Sequence, residues 1–159
     1  MKKARWIISP EIETIPCFKK IINLKNNLKK AVLKITSMGF YRVFIDGKLI
    51  TNNVFMPGWT SYLNRVQYQK YDVTKMINNG SVMDILLGEG WAGAKRIAWP
   101  NKEYPYFHPS LIFVLELTYE DNKKDIIVSN NDIDVYTSNI ISSSIYDGEV
   151  QDITKKIKY

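Results

Sequence analysis

Cysteine and histidine are almost absent from this chain, with one of each, Cys17 and His108. A single cysteine excludes an intrachain disulfide and gives no sign of an oxidising compartment. Cys17 lies in an apolar stretch and reads as a buried, inert thiol. His108 stands between Phe107 and Pro109 with no partner at the spacing of a zinc site or a nucleophile–histidine pair, so it reads as a loop residue. Long hydrophobic runs are missing too. Trp6-Ile7-Ile8 is cut short by Ser9-Pro10, too soon for a signal-peptide core, and no other run approaches membrane-spanning length. The expectation is a cytoplasmic chain, or one that has lost its leader, with no membrane partner. Gly88-Glu89-Gly90 is too short for a phosphate loop. No fixed-period repeat and no sustained helical periodicity occur, which excludes solenoids and parallel α/β folds.

What the chain does have is apolar and aromatic material. Hydrophobic residues make up 45% of its 159 positions, and it carries 10 Tyr, 6 Phe and 4 Trp. That length suits one domain, 1–159, with a real core. Aromatics favour half-buried pleated surfaces and, when exposed, offer faces on which sugars stack. The net charge of +6 comes from scattered lysine pairs such as Lys19-Lys20 and Lys123-Lys124. No nucleic-acid motif accompanies them, so they read as a solvated surface and not as a nucleic-acid face.

The apolar pattern has period two. Cys17–Ile22 opens the series, and in Lys29–Ser37 the residues Ala31, Leu33 and Ile35 share one face. Met38-Gly39 breaks that strand, and Phe40–Asp46 resumes. Asp46-Gly47 then predicts a tight hairpin into Lys48-Leu49-Ile50, because this pair reaches the positive φ angles such a turn needs. Residues 51–64 read as a long polar and aromatic connection. Arg65–Tyr71 alternates again, and Asp72 is placed to cap one helical turn ending near Ile77. Val82–Leu87, Leu111–Tyr119, Asp125–Ser129, Ile133–Thr137, Ser143–Tyr146 and Glu149–Ile153 complete the strands. The pattern predicts an all-β, antiparallel, jelly-roll-like β-sandwich with short helical turns. Region 88–109 is the least regular, and long ordered loops on a rigid sandwich are where binding sites tend to lie.

Two residue sets compete as sites. Asp147 and Glu149, two apart on an extended chain, would sit about 6–7 Å apart, near the separation of inverting glycosidase carboxylates. Same-face neighbours cannot flank a sugar from opposite sides, so a turn-and-strand role is expected and no catalytic residue is assigned. The second set is aromatic and amide-bearing: Asn52, Asn53, Trp91, Trp99, Asn101 and Glu103, all within the two irregular stretches. Indole packs on a sugar's C–H face while amides and carboxylates take its hydroxyls. Trp59 and Trp91 read first as core, closing the ends of the sandwich; Trp99 reads equally as core or contact.

The ordered series Gly39-Phe-Tyr-Arg-Val-Phe-Ile-Asp-Gly-Lys, Met56-Pro-Gly-Trp-Thr-Ser-Tyr, Arg65-Val-Gln-Tyr-Gln-Lys-Tyr-Asp-Val-Thr, Gly88-Glu-Gly-Trp and Ser143-Ser-Ile-Tyr-Asp-Gly-Glu resembles the bacterial α-L-rhamnosidase N-terminal domain. The resemblance covers nearly the whole chain. It implies a non-catalytic accessory β-sandwich ahead of further β-domains and an (α/α)₆ barrel, absent here, that hydrolyses terminal α-L-rhamnose with inversion. The partners it implies are the rest of the parent hydrolase and rhamnose-containing glycans, since related modules bind rhamnose with calcium. Two departures bear on that. The family commonly has acidic residues where this chain has Asn52-Asn53, and an aromatic and an arginine where it has Ala92-Gly93-Ala94. Calcium near Asn52, Asn53 and Asn101 would therefore be held weakly, for want of carboxylates, and no cofactor is expected to be required. The rival reading is a free-standing structural or protein-interaction sandwich without carbohydrate affinity.

Overall fold

Alternating apolar residues need a second surface to cover them, and the computed structural model supplies it as two facing antiparallel sheets. It describes residues 3–8, 14–93 and 107–155. Among the described residues twelve short strands run in chain order: β1 (Ile7–Ile8), β2 (Pro16–Ile22), β3 (Leu28–Met38), β4 (Phe40–Ile45), β5 (Lys48–Leu49), β6 (Gln69–Asp72), β7 (Ser81–Gly88), β8 (Ser110–Tyr119), β9 (Lys124–Val128), β10 (Asp134–Thr137), β11 (Ile140–Ser144) and β12 (Gly148–Gln151). In the first sheet β8 pairs with β3, β3 with β6, and β1 and β9 share the other edge of β8. The second sheet has the order β10-β2-β7-β4-β5, and β11 and β12 form a separate hairpin. Every pairing is antiparallel. Successive strands change sheet at most connections, the mark of a jelly-roll-like sandwich.

The core follows the period-two expectation. Ala31, Leu33 and Ile35 of β3 and Leu111, Phe113, Leu115 and Leu117 of β8 face Phe18, Val43, Ile45, Met83, Ile85 and Leu87 of the opposite sheet. Each Val, Leu, Ile, Phe or Met side chain buried this way contributes about 1.5–3 kcal/mol. One hydrogen-bond cluster joins the two sheets through the core. The Tyr41 phenol on β4 donates to Gln69 Oε1 on β6 at 2.7 Å and lies 3.1 Å from the Tyr71 hydroxyl. Burial, reinforced by Tyr71, pushes the Tyr41 pKa far up, so the phenol remains a donor.

Local turn chemistry works as its residues imply. Asp46 and Gly47 have φ of 48° and 72°, the two positive values of a primed hairpin turn, and Ile45 pairs with Lys48. Asp46 also accepts from Val82 N and Ser81 Oγ, which hold its carboxyl below the usual range. The expected helical turn is a 3-10 helix at Thr74–Met76, and Asp72 Oδ1 accepts from Thr74 N and Oγ1 just ahead of it. Gly39 carries the chain from β3 in one sheet to β4 in the other at φ 133°. A Cβ there would lie 2.3 Å from the Gly88 carbonyl oxygen, so no other residue fits without displacement.

Two strand expectations change. Arg65–Tyr71 forms a ladder only from Gln69 onward, because residues 65–68 turn aside to brace the preceding loop: the Thr36 hydroxyl donates to Gln67 O and Gln67 Nε2 to Trp59 O. The final hairpin begins at Ile140, three residues earlier than the alternation suggests.

Candidate functional site

The connection from 51 to 64 is irregular but firmly tied. Tyr41 N on β4 donates to Met56 O, Gln69 Nε2 to Pro57 O at 3.1 Å, and the Tyr62 hydroxyl to Gly58 O at 3.2 Å. Gly58 N in turn donates to Phe55 O at 2.8 Å. These bonds hold Phe55 at φ 60°, a conformation that a bulky residue avoids unless its surroundings impose it. The outcome is an aromatic side chain turned outward: Phe55 is 55% exposed and Trp59 58% exposed.

Trp91 reaches the same place from the end of β7. Gly90, at φ 55°, lets the backbone pass so close to the start of β4 that a Cβ would meet Phe40 N at 2.9 Å. Trp91 then stands edge-on to Phe40 with centroids 4.9 Å apart, 6.2 Å from Phe55, while Phe40 and Phe55 are 5.5 Å apart. Three rings from three segments thus form one cluster where β4 begins and β7 ends. Such ring pairs add about 0.5–1.5 kcal/mol beyond their burial.

The sequence-predicted residues divide accordingly. Asn52 and Asn53 are exposed and lie two to three residues before Phe55, in the loop that reaches Trp91. Trp91 is half-buried in the cluster, while Trp59, expected as core, is turned to solvent because its neighbours' backbone bonds fix the loop and leave the indole outside. Trp99, Asn101 and Glu103 lie outside the described residues. Sequence reading passed over Phe40 and Phe55; Phe40 was absorbed into a strand, whereas an aromatic at 55 amid polar loop residues was a visible signal. For calcium, the described donors are the amides of Asn52 and Asn53, and the described residues hold no cluster of three His, Cys, Asp or Glu. Two amides supply only part of the six to eight oxygens that calcium takes, and Asn101, the third expected donor, lies outside the described residues.

Asp147 and Glu149 sit in and after the β11–β12 turn. Ser144 Oγ donates to Asp147 Oδ2 at 3.1 Å and Asp147 N donates back to Ser144 Oγ, while Gln151 Nε2 donates to Glu149. Both carboxylates therefore serve the hairpin itself. Burial, with the charge of Asp84 adding to it, pushes the Cys17 thiol up to about 11, as an inert thiol requires.

An antiparallel sandwich with a braced aromatic cluster at one end belongs to the class of jelly-roll-like β-sandwich domains. The α-L-rhamnosidase N-terminal domain profile matches residues 26–159, and the chain belongs to that family. An α-L-rhamnosidase of Formosa agariphila is 32% identical over 94% of this chain and 18% of its own length. The α-L-rhamnosidase structure from Dictyoglumus thermophilum superposes with TM-score 0.87 at 31% identity, over 98% of this chain and 19% of that one. The Streptomyces avermitilis α-L-rhamnosidase, solved with L-rhamnose, gives TM-score 0.79 at 28% identity, over 87% of this chain and 14% of that one. The chain thus spans less than a fifth of the length of these relatives. In them this domain is part of a much larger chain. Among the described residues no helix is long and apolar enough to cross a membrane.

Proposed function

We propose that this chain is a non-catalytic accessory domain of an α-L-rhamnosidase, bracing the catalytic part and holding a rhamnose-type sugar against the loops of 51–64 and 88–93. The observation that carries the sugar reading is the braced Phe40–Phe55–Trp91 cluster, with exposed Trp59, Asn52 and Asn53 on the same connection. Rings supply a face for a sugar's C–H groups and the amides supply partners for its hydroxyls. The inverting carboxylates belong, in this reading, to another part of the parent enzyme. The lone buried thiol suits a reducing compartment, which favours a cytoplasmic location.

Titration with L-rhamnose, followed by tryptophan fluorescence and calorimetry, tests the sugar reading. Saturable binding in the millimolar range, about −4 kcal/mol, is expected, and the same titration in EDTA reads whether calcium takes part. Unchanged Trp signals throughout would leave a purely structural or protein-docking domain, the rival reading.

A further inference from the structure

We infer a second sugar subsite on the side of the sandwich, between the edge strands β1 and β10, lined by Trp6, Ile8, Phe18, Asn130, Asn131 and Val135. The two sheets separate along this edge and leave a cleft of about 280 Å³. It lies away from the Phe40–Phe55–Trp91 cluster and shares none of its residues. The volume is near the lower limit of small-ligand sites and suits a single sugar ring.

Three features make this a site for a ligand and not a packing gap. First, its walls are fixed. Buried Ser129 donates through Oγ to Arg5 O at 2.7 Å and accepts from Phe113 N at 3.1 Å, and Arg5 N donates to Ser129 O at 2.9 Å. Trp6, the next residue, therefore starts from a backbone pinned to β8 and to the end of β9. Elsewhere in the lining Asn130 Nδ2 donates to Asp132 Oδ2 at 2.8 Å, and Lys20 Nζ donates to Asp132 O at 3.3 Å. A site whose walls are ordered beforehand loses little entropy on binding.

Second, the lining combines two chemistries. Trp6 is 44% exposed and offers an indole face. Phe18 and Val135 offer an apolar floor. Asn130 and Asn131 carry amide donors and acceptors, and Asn131 is exposed. Third, none of the described lining residues is charged, which suits a neutral ligand. A neutral ring with one apolar face, a methyl group and several hydroxyls meets these demands, and a 6-deoxyhexose such as L-rhamnose is that molecule. The choice of sugar rests on the rhamnose reading above; the location does not.

The test uses the whole chain, with the indole N–H and Asn side-chain amide signals followed by NMR as L-rhamnose is added to ~50 mM. Shifts of Trp6, Asn130 and Asn131 that saturate separately from those of Trp59 and Trp91 are expected. Asn131→Ala leaves the fold intact and should weaken the Trp6 response about tenfold, the effect of one lost hydrogen bond, while the Trp91 response is unchanged. Trp6→Ala should abolish the lateral response alone. Shifts at Trp59 and Trp91 without any at Trp6 would overturn this subsite and spare the loop site. Shifts at Trp6 alone would support the subsite and overturn the loop site. Silence at all four tryptophans would overturn both.

Discussion

A single ion pair shows how residue chemistry and position combine. Lys19 on β2 is registered against Asp84 on β7, with Nζ 3.8 Å from Oδ1 and both side chains largely buried. Asp84 Oδ1 has no hydrogen-bond partner, so the lysine charge is what offsets its desolvation. Burial holds the Asp84 carboxyl above the ordinary range, with Lys19 pulling it down and Asp46 adding slightly to the rise. Lys19→Met should therefore cost on the order of 3 kcal/mol at neutral pH, as when one member of a buried pair is removed. Because the folded-state pKa is raised, the folded protein takes up the proton more readily than the unfolded chain. The deficit should shrink as pH falls toward 4, in urea melts at both pH values. Cys17 follows the same sign. Its thiol stays protonated in the folded state to about 11 while the unfolded chain ionises from its usual 9.0, so stability should fall as pH rises across that window. Cys17→Ala should flatten that fall. The apolar stretch around Cys17 suggests its burial; it does not show that Asp84 lies near it on a neighbouring strand.

Elements whose signals are local were the easiest to read. The Asp46-Gly47 turn, the break at Gly39 and the inward face of β3 all follow from adjacent residues. The ladder at Arg65–Tyr71 was overextended because alternation reports a face and not a partner; Gln67 bonds to the preceding loop instead. The tie between sheets at Tyr41 was invisible for the same reason, since Gln69 lies 28 residues away. Tyr41→Phe should lower stability by about 1–2 kcal/mol and release the 55–59 loop, read as a red shift and greater quenching of Trp59. Gly39→Ala should cost about 2–4 kcal/mol, since its Cβ would collide with the Gly88 carbonyl, and a lower midpoint in denaturant is the measurement.

At the scale of the molecule, the chain is a fraction of the enzymes it matches, covering 19% of the Dictyoglumus thermophilum chain and 14% of the Streptomyces avermitilis chain. The carboxylates of its final hairpin are engaged in that hairpin. Incubation of this chain alone with an aryl α-L-rhamnoside should release no phenol above the uncatalysed rate; turnover would mean that it holds a catalytic pair of its own.

Period-two alternation, turn dipeptides and ordered motifs are properties of neighbouring residues. By itself the sequence therefore determined the sandwich, the I′ hairpin, most strand positions and the family. Which aromatics face outward depended on long-range bonds. Trp59 looked like core and is exposed because backbone ties made from β4 and β6 shape its loop. Trp6 is set beside Asn130 by Ser129, which binds Arg5 from 124 residues away. Only the order of strands in two sheets brings such residues together, and no local pattern encodes that order.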